Sequence, residues 1–133
     1  MVLTYTLNKS PDFIFDYLTD MDKFASIHPV ITRIDSLGDS RYLVHETMKL
    51  GFIPYSFTYP VSIASDAREH KVTIRATVMK MTHIEMDYVI RAQGEGSIVE
   101  ETITFRSILP IKGMMEKLFR EQHALLFRNM NNV

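Results

Sequence analysis

Apolar residues along this chain keep a period of two, then of a helix, then of two again through most of the molecule, and finally of a helix to the end. Leu3, Tyr5 and Leu7 alternate with Thr4, Thr6 and Asn8, as in a strand with one covered face. Ser10 as N-cap with Pro11 at the first helical position predicts a helix, in which Phe13, Ile14, Tyr17 and Leu18 form the apolar stripe. Asp20 predicts the cap of a second short helix through Phe24 and Ile27, and His28-Pro29 ends it, because a residue before proline is pushed out of the α region.

From Val30 the period is two, and five or six strands are expected, separated at Gly38-Asp39-Ser40, Gly51, Ser65 to His70 and Gly94-Glu95-Gly96. One face carries Tyr42, Val44, Met48 and Leu50, then Ile53, Tyr55, Phe57, Tyr59, Val61 and Ile63. It continues with Val72, Ile74, Ala76 and Val78, then Ile84, Met86, Tyr88 and Ile90, and ends with Val99, Ile103 and Phe105. The other face is polar, with Arg41, His45, Thr58, Arg75, His83, Glu85 and Arg106 among its members. An antiparallel sheet wetted on one side and covered on the other reads this way. The cover is expected from a helix opening at Leu109-Pro110 and running to about Met130. Its stripe is Ile111, Met114, Met115, Leu118, Phe119, Leu125, Leu126 and Met130. The class is α+β, with about seven strands curved around a long C-terminal helix and two short helices after the first strand. Residues 1–133 are expected to form a single domain.

Composition narrows the function. The 133 residues carry fifteen Lys and Arg against sixteen Asp and Glu, and no run of one sign could track a phosphate backbone, so nucleic acid is not an expected partner. There is no cysteine, and the N-terminus has neither the basic start of a signal peptide nor an apolar run long enough to span a membrane. A cytoplasmic location is expected. Nine Met, eight Phe and six Tyr with no Trp suit an interior of irregular or adaptable shape. The five histidines include no i, i+4 helical pair, and Gly94-Glu95-Gly96 lacks the third glycine of a dinucleotide fingerprint, so neither metal nor cofactor is expected.

Two carboxylates break the pattern. Glu46 falls in register with Val44 and Met48, and Glu101 with Val99 and Ile103, which places both on the apolar face. Removing a carboxylate from water costs several kcal/mol unless it is paired, hydrogen-bonded or protonated, so each needs a tyrosine, an amide or a raised pKa. A bulge turning either one outward is the alternative. Gln122 lies in the helix stripe between Phe119 and Leu126. His28 reads as a helix terminator and His123 as a boundary residue on the helix flank, while Gly113 reads as a close-packing position or a hinge.

The order of elements resembles the helix-grip fold of the START-related SRPBCC superfamily, which includes lipid carriers, aromatic polyketide cyclases and proteins like the birch-pollen allergen. The resemblance rests on Ser10 to Leu18 after the first strand, Met21 to Pro29, Gly96 to Glu100 opening the last strand, and Pro110 to Asn129. It implies a cavity between sheet and helix and no single reaction. With such a cavity, the inward residues Tyr42, Glu46, Met48, Tyr55, Phe57, Tyr59, Met86, Tyr88, Glu101, Met115, Phe119 and Gln122 are the expected ligand contacts, and Glu46 and Glu101 the catalytic candidates. Three functions stay open: a carrier or sensor of a small hydrophobic ligand, a cyclase or dehydratase, and an interaction module whose cavity is filled. Either a monomer or a homodimer is compatible with each.

Overall fold

The computed structural model describes residues 1–50 and 52–133, so the turn expected at Gly51 lies outside the described residues. The elements are β1 (Val2–Leu7), α1 (Pro11–Thr19), α2 (Met21–Ile27), β2 (Ile31–Gly38), β3 (Arg41–Leu50), β4 (Ile53–Asp66), β5 (Lys71–Val78), β6 (Thr82–Gln93), β7 (Gly96–Ser107) and α3 (Lys112–Asn131). The strands make one antiparallel sheet in the order β1-β7-β6-β5-β4-β3-β2. β1 and β2 are its two edges, and α1 and α2 carry the chain between them.

The local signals act as their chemistry dictates. Ser10 Oγ accepts the Phe13 backbone N–H at 3.2 Å, and Asp20 Oδ1 accepts those of Asp22 and Lys23 at 3.0 and 3.2 Å. Gly38 takes a positive φ in the β2–β3 turn, followed there by Asp39 and Ser40. Gly96 opens β7 against the end of β1, where a Cβ would sit 2.2 Å from the Leu7 carbonyl oxygen. Pro54 and Pro60 lie in the half of β4 that pairs with β3 alone, since β5 begins to pair with β4 only at Val61. The β3–β4 hairpin therefore extends beyond β5 as an arm.

β3 and β7 keep regular registers through Glu46 and Glu101, so both carboxylates point inward among Val44, Met86, Val99 and Ile103. α3 covers this face, but its phase and start differ from the sequence expectation. The helix begins at Lys112 rather than at Leu109-Pro110, with Ile111 as N-cap. Met114 is 62% exposed and Leu125 is exposed, while Gln122, His123, Leu126, Phe127 and Met130 are buried. The apolar residues of this helix are spread too widely around its axis to fix the buried face, and the inward stripe turns out to contain polar residues.

Candidate functional site

Between α3, α2 and the strands from β2 to β6 lies a cavity of about 510 Å³. Met21 and Phe24 of α2, Ile31 and Ile34 of β2, and Val44, Glu46 and Met48 of β3 line one side. Tyr55, Phe57 and Tyr59 alternate along one face of β4 and form a ladder of rings with centroids 5.6 and 5.9 Å apart. Ile74, Val78 and Met86 supply the base, and Met115, Phe119, Gln122 and His123 hang from α3. The lining is mostly apolar with a few polar groups, which is the usual composition of a small-molecule site.

The polar groups are held in defined states. The Tyr59 hydroxyl donates to Glu46 Oε2 at 2.6 Å. Burial pushes the Glu46 carboxyl above the ordinary range, and the Tyr59 hydrogen bond and the nearby His123 oppose the shift without cancelling it. Burial and the adjacent Glu46 push Tyr59 well above its ordinary value, so it remains a donor. His28, the C-cap of α2, accepts the backbone N–H groups of Val30 and Ile31 on Nδ1, each at 3.3 Å. Burial, assisted by His123, lowers its pKa to about 3, so this ring is neutral at ordinary pH.

His123 is 2% exposed, and its Nδ1 lies 2.7 Å from each oxygen of Glu101, which is 0% exposed. The hydrogen bond runs to Oε1, and Oε2, equally close to Nδ1, has no other hydrogen-bond partner of good geometry among the described residues. Tyr88 faces Glu101 across the β6–β7 ladder, and its hydroxyl points to Met86 Sδ at 3.8 Å. The rings of His28 and His123 meet edge to face with centroids 6.4 Å apart.

Of the residues anticipated as ligand contacts, Glu46, Met48, Tyr55, Phe57, Tyr59, Met86, Met115, Phe119 and Gln122 line the cavity. Tyr42, Tyr88 and Glu101 are not among its lining residues. Tyr88 and Glu101 face inward, but Phe127 fills the space there, stacked on Tyr5 at 4.4 Å and tilted against Tyr88 at 6.2 Å. Tyr42 packs against the core near the far end of β3. His28 ends α2 as the sequence implies, and it also lines the cavity, as does His123, which the sequence places on the helix flank as a boundary residue. The missed signal was spacing: His123 follows Phe119 by four residues and precedes Leu126 and Phe127 by three and four, which puts it on the inward face of the helix.

Alternate hairpin tips and the β7–α3 junction share one end of the sheet, and there Phe52, Ile53, Met79, Met81, Ile108 and Leu109 are exposed. Tyr55, Met79, Met114, Lys49 and Lys117 belong both to this end and to the cavity lining, so they mark its mouth. A second depression, of about 470 Å³, lies on the outer face of the sheet among Arg41, Ser62, Thr77, His83, Thr104 and Arg106. Its Arg75 already pairs with Glu85 at 2.7 Å, and its lining resembles ordinary solvated surface. Among the described residues no group of three or more His, Cys, Asp or Glu is placed to hold a metal ion, and no helix is long and apolar enough to cross a membrane.

A family model described as polyketide cyclase / dehydrase and lipid transport matches residues 1–131. No curated protein matches the chain significantly in sequence. Among solved structures, a START superfamily protein from Mycobacterium smegmatis is similar at 15% identity and a TM-score of 0.82, covering 99% of this chain and 94% of that one. Ara h 8.0201 is similar at 14% identity and a TM-score of 0.81, with the same coverage of 99% and 94%. The Zhui aromatase/cyclase from Streptomyces sp. R1128 is similar at 12% identity and a TM-score of 0.68, covering 99% and 90%. At these identities the likeness is one of fold.

Proposed function

We propose, from the premise that this chain belongs to the polyketide cyclase / dehydrase and lipid transport family, that it binds a small hydrophobic or amphipathic ligand between its sheet and α3. The ligand class is lipid, isoprenoid or aromatic metabolite, carried or sensed by a cytoplasmic monomer or homodimer. The cavity carries this reading. Its volume of about 510 Å³ falls inside the range of about 300–1,000 Å³ common to small-molecule sites, and its mouth is open to solvent beside exposed apolar side chains. Gentle purification followed by native mass spectrometry, with extraction of bound material, tests it directly. Displacement of an amphiphilic dye should show one site per chain with micromolar affinity, on the order of −8 kcal/mol. Absence of binding across acyl, isoprenoid and aromatic panels would leave an interaction module instead.

A second reading, a cyclase or dehydratase, is favoured by one observation. Glu46 stands at the cavity wall with its carboxyl biased toward the protonated form and with a tyrosine hydroxyl on one oxygen, the condition of a general acid. Glu101, the other catalytic candidate, would act only through His123. Turnover of an enolisable carbonyl substrate that disappears in Glu46→Gln while ligand binding persists would establish this reading over the carrier.

A further inference from the structure

The antiparallel meander sends its connections alternately to two ends of the sheet, and the two ends differ in chemistry. At one end the stretches 38–40, 67–70 and 94–95 contain no apolar side chain larger than alanine, and they carry Asp39, Glu69 and Glu95 against Arg68. At the other end, beside the cavity mouth, Phe52 is fully exposed, Ile108 is 83% exposed, and Ile53, Met79, Met81 and Leu109 are exposed with them. These side chains come from three separate connections, β3–β4, β5–β6 and β7–α3, so no single irregular loop accounts for them. Exposed apolar side chains gathered in this way mark an interaction surface. At the β5–β6 tip, Met79 and Lys80 take positive φ of 56° and 62°, a left-handed backbone that glycine or asparagine adopts at less cost. The tip keeps an apolar and a cationic side chain where the turn itself favours neither.

Charge identifies what covers this end. Residues 47–56, 77–83 and 107–115 include the exposed Lys49, Lys80 and Lys112 and no Asp or Glu. A second copy of the chain seated here about a two-fold axis would set lysines against lysines with no acid to answer them. An anionic bilayer supplies both missing partners, acyl chains for the apolar tips and phosphates for the lysines, whose stems can lie along the apolar boundary. Being fluid, it also closes around tips that stand apart. We propose that this end docks on a bilayer containing anionic lipid, with Phe52, Ile53, Met79, Met81, Ile108 and Leu109 entering the boundary between head groups and acyl chains. The cavity mouth then opens onto lipid rather than water. The docking surface is argued from the outside of the molecule and stands apart from the ligand-binding reading. Together the two let an apolar ligand pass between membrane and cavity without crossing water.

The test sediments the full chain with vesicles of phosphatidylcholine alone and of phosphatidylcholine mixed with phosphatidylglycerol. The chain should bind the mixed vesicles, leave them at high salt, and bind phosphatidylcholine alone weakly. Phe52→Ser should weaken binding to the mixed vesicles about tenfold. Lys80→Asn should weaken it about fivefold, while Arg68→Ser, exposed at the opposite end, leaves it unchanged. Met79→Asn should raise thermal stability while weakening vesicle binding, an opposition that a purely structural turn would not give. The chain has no tryptophan, so Phe52→Trp provides a single reporter whose emission should shift to the blue on mixed vesicles. Leu37→Trp, exposed near the opposite end, should show no shift. Docking is overturned by absence of binding to both vesicles, whether or not a dimer that Phe52→Ser dissociates takes its place. Equal losses in Lys80→Asn and Arg68→Ser, or Phe52→Trp emission unchanged on binding, overturn it too. A chain that takes up an amphiphilic dye yet ignores vesicles loses only the docking. One that binds vesicles as stated yet takes up no dye keeps the docking and loses the ligand-binding reading.

Discussion

The two halves of α3 cover the same sheet and do opposite things. From Ala124 to Met130 the helix lies on a closed floor, with Leu126 and Met130 at 0% exposure and Phe127 wedged between Tyr5 and Tyr88. From Lys112 to His123 it roofs a cavity, with Met115, Phe119 and Gln122 facing inward and Met114 and Lys117 exposed at the mouth. One half fixes the fold and the other leaves room beneath it. Full burial of a large apolar side chain is worth about 1.5–3 kcal/mol, so Leu126, Phe127 and Met130 supply much of the helix's hold on the sheet. His123 stands at the join, with Nδ1 turned to the closed floor and its ring edge in the cavity wall.

The largest expected effect comes at that join. His123→Ala should destabilise by about 3–5 kcal/mol, because it strands Glu101 as an unpaired buried acid. Urea denaturation at pH 7 measures the loss. The double change Glu101→Leu with His123→Ala should recover part of it, which a purely steric role for His123 would not give. Within the helix, Leu126→Ala should cost about 2–5 kcal/mol. Met114→Ala, at an exposed position, should stay within about 0.5 kcal/mol of wild type. Similar losses at the two positions would show that the helix is clamped evenly and that the contrast between its halves is wrong.

The sequence carried the floor better than the roof. The strand faces, the Ser10 and Asp20 caps and the inward direction of Glu46 and Glu101 were all legible, because a period of two and a cap are local signals. The phase of α3 was not. Ile111, Met114, Leu118 and Leu125 make its apolar surface broader than the buried stripe, and the mouth tolerates apolar residues that a sealed core would have placed inward. For the same reason, facing inward did not separate lining residues from packed ones. Tyr59 and Tyr88 look alike in their strands, and only Phe127, far away in sequence, excludes Tyr88 from the cavity. The Glu101–His123 pair links β7 to α3, a tertiary contact with no local signature.

Glu46 gives a smaller effect whose sign separates cavity from floor. Its folded pKa is raised above the ordinary glutamate value of 4.5. Below that value the group is protonated in both folded and unfolded chains and contributes no difference. As the pH rises from there through the folded value, the unfolded chain releases its proton first, so wild-type stability falls. Glu46→Gln keeps an acceptor for Tyr59 and has no proton to lose. It should match wild type near pH 4 and exceed it at pH 7, by about 1.4 kcal/mol for each unit of upward shift. Denaturation curves of both proteins at the two pH values decide it, and a Gln variant whose advantage over wild type is no larger at pH 7 than at pH 4 would place Glu46 in a solvated environment.

The smallest effect tests whether the roof moves. Gly113 is the second residue of α3, at the mouth, and a Cβ built on it meets no atom within 4 Å. Its φ is not positive, so alanine can adopt the same backbone, and Gly113→Ala should stabilise by about 0.4–1 kcal/mol, chiefly by restricting the unfolded chain. The gain is small, but its position is informative. Lifting the whole helix for ligand exchange would uncover Leu126, Phe127 and Met130 together, whereas bending its first turns uncovers only residues already near solvent. If exchange uses that bend, alanine should slow the association of an amphiphilic dye in stopped-flow mixing and slow its release to match, with equilibrium affinity nearly unchanged. Unchanged association kinetics in a folded, stabilised variant would show that the glycine is not the hinge, and would move the entrance to the other side of the mouth, between the β3–β4 arm and His28.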